Sequence, residues 1–210
     1  MSSPVPTGAS PVPVSGARAR LNADPSRWGV AAVAEIAVAV ALAAVLGQVR
    51  LFVMPQGGSV SLELLPLVFV AVRRGVVPGM TAGLLYGVLQ LGLPGAYVLH
   101  PAQALLDYPL AFAAVAAAGF VSVGPVSGRR GALQLAAAVA VAGAARLVFH
   151  FLSGLIFFAE YAPHWEAPWL YALTYNLLFL VPEVVLSTLL LWPVLRAYDA
   201  AFPARVGSGR

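Results

Sequence analysis

Lysine and cysteine are both missing from this chain of 210 residues, and charge of either sign is scarce. Without lysine there is no phosphate-cradling loop ending in Lys-Ser/Thr, so any ATP the protein depends on is bound by another chain. Without cysteine there are no disulfides, thiolate zinc sites, iron–sulfur clusters or cysteine nucleophiles. Only 10% of the residues are charged, against about 25% in soluble domains. Twelve arginines face eight acidic residues, a formal net charge of +4. On so apolar a chain that excess does not point to nucleic acid. No HExxH, GxSxG or twin-glutamate pattern occurs, so the residues imply no metal centre and no cofactor.

What the chain does have is apolar length. It is 60% hydrophobic, with a mean hydropathy of +0.88, which makes it a polytopic membrane protein of all-α class. Residues 1–27 are rich in Pro, Ser, Ala and Gly and read as a disordered tail. The run Trp28–Val49 holds 22 residues interrupted only by Glu35. It exceeds the roughly 7–15 residues of a signal-peptide core and matches the ~20 that cross a bilayer, so it is read as a retained first helix. Five more spans follow from where the few charges sit: about 60–72, Gly75–Leu99, Pro101–Val123, Gly131–Ala159 and Ala167–Leu195. The second is short and must tilt little, thin the bilayer or borrow from the preceding loop. Pro66, Pro109 and Pro182 fall inside spans and predict kinks or tight packing. The expected domains are a tail over 1–27, a six-helix domain over 28–199 and a tail over 200–210.

Arginine distribution orients the set. With the amino terminus inside, six spans place Arg18, Arg20, Arg27, Arg73, Arg74, Arg129, Arg130, Arg196, Arg205 and Arg210 on one side, ten of the twelve. Cytoplasmic loops carry such an excess, so both tails are expected in the cytoplasm. The opposite segments 54–61, 94–100 and 160–166 contain no arginine but carry Glu160, Glu166, Tyr161 and Trp165. Gly79, Gly83 and Gly87 form a small stripe on the third span, read as packing inside the bundle, and Ala37 and Ala41 form another on the first.

Ionisable groups at membrane depth need partners or water. Arg146 and Glu183 lie at matching depth and are expected to pair. Asp107 and His150 lie nearer the outer side, with no cationic partner evident at their level. Tyr108, Phe158, Tyr171 and Asn176 fall at similar depth. Acid, imidazole, amide and aromatics on three helices describe a pocket for a small, positively charged ring compound. An acid–base pair of Asp107 and His150 in an intramembrane enzyme is the rival reading.

The stretches Met54-Pro-Gln-Gly-Gly-Ser-Val-Ser61, Leu65-Pro66 with Arg73-Arg74-Gly75, and His100-Pro-Ala-Gln-Ala-Leu-Leu-Asp-Tyr-Pro-Leu-Ala-Phe112 resemble the thiamine-specific S components of energy-coupling factor (ECF) transporters. Ala145-Arg146, His150-Phe151, Gly154, Tyr161-Ala162-Pro163, Tyr171 and Asn176 extend the resemblance. It implies a six-helix membrane subunit that binds thiamine from outside and partners a transmembrane scaffold protein and two cytoplasmic ATPases. Carried over by position, it implies substrate contacts at Asp107, Tyr108, His150, Gly154, Phe158, Tyr171 and Asn176. It places the scaffold interface at Ala37 and Ala41. The loop of Gln56, Gly57, Gly58 and Ser59 is expected to act as a lid. Family members carry glutamate, tryptophan and serine where this chain has Asp107, Phe158 and Ala172, and a loop tryptophan with no counterpart in 54–61. An S component for another vitamin or for a thiamine precursor remains an alternative.

Overall fold

The computed structural model describes residues 28–202 apart from 125 and 127. The tail expected over 1–27 and most of that expected over 200–210 lie outside the described residues. Among the described residues, six principal helices pack into one bundle. They are α1 (Val30–Leu46), α2 (Leu64–Arg74), α3 (Val76–Gln90), α4 (Pro101–Phe120), α5 (Gly128–Phe157) and α6 (Pro168–Ala201). Three of them, α4, α5 and α6, are long and apolar enough to cross a membrane, while α1 and α3 are shorter apolar helices. Valine and leucine side chains on α1, α3, α5 and α6 stand exposed in quantity, among them Val30, Val38, Leu42, Leu84, Val88, Val148, Leu178 and Leu189. Exposed apolar faces of this kind are characteristic of a surface that meets lipid or another protein.

The short second span is explained by enclosure. Leu64, Leu67, Val68, Val70 and Ala71 of α2 have no solvent exposure, because α1, α3, α4, α5 and α6 all pack against this helix. A helix walled in by protein need not match the thickness of the hydrocarbon. Pro66 does not kink it. It sits in the first turn, where a missing N–H is no loss because the first four have no intrahelical acceptor. Gly75, at φ 94°, then reverses the chain into α3. That left-handed conformation strains any residue with a Cβ.

The third span is shorter than its charge-free run suggested. Helix α3 ends at Gln90, and residues 91–100 form irregular turns through Pro94 and Gly95. The guanidinium of Arg50 holds this segment to the end of α1 by donating to the carbonyls of Gly47 and Pro94. The glycine stripe of α3 faces α4 and α2. A Cβ on Gly83 would run into the carbonyl oxygen of Phe112, one on Gly87 would stand 2.5 Å from that of Tyr108, and one on Gly79 would stand 2.7 Å from the Ala71 side chain. Close backbone approach of this kind strengthens the van der Waals packing that helps associate helices in lipid, where apolar burial offers little.

Two departures from regular helix position the site. In α4 the turn Leu106–Leu110 is π-helical and contains Asp107, Tyr108 and Pro109. Pro109 therefore widens the helix instead of simply bending it, which re-aims the two preceding side chains. Between α1 and α2 the chain makes a hairpin of β1 (Phe52–Val53) and β2 (Ser59–Val60), antiparallel with Phe52 opposite Val60 and Val53 opposite Ser59. This small sheet is absent from an all-α reading. Its turn, residues 54–58, lies against α6.

Candidate functional site

A cavity open to solvent lies at the hairpin end of the bundle, with about 700 Å³ of space that includes the solvent at its mouth. The hairpin turn, the 91–100 segment and helices α4, α5 and α6 line it, with Glu63 at its inner end.

Arg146 organises the inner end. This residue of α5 is 4% exposed. Its Nη2 donates to Glu63 Oε1 at 3.0 Å, its Nη1 to Glu183 Oε2 at 2.9 Å, and its Nε to His150 Nε2 at 3.0 Å. The guanidinium carbon also lies 4.2 Å from the centre of the Phe112 ring, a cation–π distance. Glu63 is held in turn by the Tyr86 hydroxyl at 2.5 Å and the Gln90 amide at 3.3 Å.

Asp107 is reached through His150. The Nδ1 of His150 lies 3.0 Å from Asp107 Oδ1, while Gln103 Nε2 and Ser153 Oγ each donate to Oδ2 at 2.7 Å. An imidazole that accepts from an arginine at Nε2 must keep its proton on Nδ1, where it donates to the carboxylate. His150 is thus neutral, and Asp107 is hydrogen-bonded by uncharged donors only. The expectation of no evident cationic partner at the level of Asp107 and His150 is corrected for His150 alone. Arg146 lies one helical turn below His150 on the same face and bonds to it directly.

The electrostatic result is an acidic cavity. Glu63 and Asp107 line the cavity, Glu63 shares the one guanidinium with the buried Glu183, Asp107 is bonded to uncharged donors, and the imidazole adds no charge. A cation entering it meets a favourable field that water screens poorly at this depth.

Phe158 and Tyr171 line the cavity wall, and the Tyr171 hydroxyl faces Gln56 Oε1 at 3.5 Å. Tyr108 lines it too, but its hydroxyl serves the 91–100 segment, accepting from the Tyr97 N–H at 2.6 Å and donating to the Tyr97 carbonyl at 3.2 Å. Gly154 lets α6 approach, since a Cβ there would stand 3.0 Å from that of Ala172. Asn176 lines the cavity while its amide nitrogen donates to backbone carbonyls of Ala172 at 2.7 Å and His150 at 3.3 Å. Gln56, Gly57, Gly58 and Ser59 form the roof. Ala37 and Ala41 lie apart from the cavity, exposed on α1.

Several cavity residues escaped the sequence reading. Glu63, the fourth residue of the short second span, carries no sequence signal of its depth. Tyr175 and Phe179 continue the Tyr171 face of α6 at four-residue spacing, and that stripe was legible. Gln103 precedes Asp107 by four, and Ser153 follows His150 by three, the same kind of signal. Tyr97 had none, because it sits in the irregular 91–100 segment, inside a charge-free run that predicts helix.

Residues 33–203 match the family model described as thiamine transporter protein (Thia_YuaJ). The chain belongs to that family. It is 38% identical over 165 residues to the thiamine transporter ThiT of Bacillus subtilis (strain 168), covering 75% of this chain and 86% of the relative. It is 36% identical over 122 residues to ThiT of Lacticaseibacillus paracasei, covering 54% and 61%. A solved structure of ThiT from Listeria monocytogenes superposes with a TM-score of 0.74 at 28% identity, covering 82% of this chain and 97% of that one. Membership makes the chain a multi-pass membrane transport protein and not an enzyme, which removes the acid–base reading of Asp107 and His150.

Proposed function

We propose that the cavity takes thiamine and that the chain is the substrate-binding S component of an ECF-type vitamin uptake transporter. The observation that carries this reading is the acidic, aromatic cavity around Arg146, in a chain of the thiamine transporter family. Thiamine joins a permanently charged thiazolium to a hydrogen-bonding aminopyrimidine. Asp107 supplies the compensating charge from a site where only neutral donors compete for it. Phe158, Tyr171 and Tyr108 offer ring faces for stacking and cation–π attraction. His150, Asn176 and Gly154 shape the polar edge along α5 and α6.

The arginine distribution supports an orientation with both termini in the cytoplasm and the hairpin end outside. Thiamine then enters from outside beneath the turn of Gln56, Gly57, Gly58 and Ser59, which closes as a lid. The chain has no lysine for a phosphate-binding loop, so ATP hydrolysis falls to two cytoplasmic ATPase partners joined through a transmembrane scaffold protein. The exposed alanines Ala37 and Ala41 on α1 give that scaffold a flat surface to approach. No cofactor takes part.

A competition panel on the purified protein tests ligand identity. Thiamine should displace a bound thiamine probe most strongly, with the isolated aminopyrimidine and other vitamins far weaker. Preference for an uncharged vitamin or for the pyrimidine alone would move the chain to a different S-component specificity. Uptake reconstituted in vesicles should require the scaffold and ATPase chains.

A further inference from the structure

The turn of the β1–β2 hairpin satisfies part of its own backbone. Met54 N–H donates to the Gly58 carbonyl at 2.7 Å, and Gly57 N–H to the Met54 carbonyl at 3.2 Å. The N–H groups of Gln56 and Gly58 both converge on one atom, the Tyr175 hydroxyl oxygen, at 3.2 Å and 3.3 Å. Tyr175 belongs to α6 and is more than a hundred residues away in the chain. A phenol oxygen can accept two hydrogen bonds, so a single side chain of the bundle holds the tip of the roof.

The glycines fit the same contact. Gly57, at φ 91°, is in the left-handed region, and a Cβ there would stand 2.7 Å from the Cβ of Tyr97. A Cβ on Gly58 would stand 2.8 Å from Phe179 Cδ1 and 3.2 Å from Tyr175 Cε1. The tip therefore lies flat on α6 and against the 91–100 segment, and only backbone fits between.

We propose that Tyr175 is the latch of the lid, a positioning residue that sets how long a ligand stays under the hairpin. This rests on the reading of the hairpin as the lid of a ligand site. Two hydrogen bonds made only when the tip is down oppose opening and leave the encounter with the open site nearly untouched. Their loss appears in the dissociation rate.

Hydrogen–deuterium exchange of the full chain in detergent, without ligand, reads the two amides directly. In Tyr175→Phe, exchange in residues 52–60 should rise about tenfold, the effect of losing two neutral hydrogen bonds, while α3 and α5 keep their protection. Gly58→Ala should give the same rise by lifting the tip with the hydroxyl intact. Unchanged exchange at Gln56 and Gly58 in Tyr175→Phe overturns the latch. A second arm follows release of labelled thiamine, which should be about tenfold faster in Tyr175→Phe, with the association rate changed less than dissociation. Faster release without faster amide exchange makes Tyr175 a ligand contact and also overturns the latch. If no thiamine binds to either protein, the proposed ligand falls, and the exchange arm still decides the latch.

Discussion

Arg146 donates through Nε to Nε2 of His150 at 3.0 Å, and that one bond sets the protonation of the site. It leaves His150 neutral with its proton directed at Asp107, so that among the described residues the only cation at the inner end of the cavity is the guanidinium itself. The same guanidinium bridges Glu63, at the foot of the hairpin strand β2, to Glu183 on α6.

Removing this centre should be costly. Arg146→Met leaves Glu63 and Glu183 buried together without their cation, and breaking one partner of a buried ion pair costs about 3–5 kcal/mol. The variant should express poorly and lose most of its thermal stability in detergent. Adding Glu63→Gln and Glu183→Gln should restore much of the loss, because the uncompensated charge is then gone. A stable single variant would show that the three groups do not depend on one another.

The other span ion pair should matter far less. Arg74 chelates Glu35 through two contacts of 2.6 Å, but both side chains remain about a quarter to a third exposed, at 31% and 26%. Exposed pairs contribute roughly 0–1 kcal/mol. Glu35→Gln should therefore shift the melting temperature little, and the shift should shrink further with added salt. A loss as large as that for Arg146→Met would contradict this ranking.

The α3–α4 contact gives a third expectation. Gly83→Ala pushes a methyl group against the backbone of Phe112, which has no rotamer to escape into. Overpacking of this kind costs about 1–3 kcal/mol. Because α4 carries the π-helical turn with Asp107, ligand affinity should fall together with stability. Thermal melts and binding titrations on one preparation check both, whereas Leu84→Ala on the exposed face of α3 should change neither much.

Helix number and approximate span positions were legible because apolar runs and arginines obey the bilayer, a constraint that acts on composition. The details missed are those set by neighbours. Residues 91–99 are as apolar as a helix, yet Pro94 and Gly95 turn them, and Arg50 fixes the turn from another element. The brevity of α2 looked like a mismatch with lipid and proved to be burial by five helices. Pro109 was visible, but a proline inside a span is equally compatible with a bend and with the π turn found at Leu106–Leu110. The hairpin has strands of two residues, too short for any alternation to register. Within the site, Asp107, His150 and the Arg146–Glu183 depth match could be read from charges in apolar surroundings. Glu63 could not be placed without knowing how deep the second span begins.

Calorimetric titration of thiamine into the purified chain, with Asp107→Asn measured beside it, tests the central claim most directly. Binding to the wild type should be saturable. Affinity should be weaker by about 1.5–3 kcal/mol in the variant, the range for interactions with a charged partner, with an unchanged helical spectrum. Absence of thiamine binding to the wild type, or equal affinity in the two proteins, would contradict that claim.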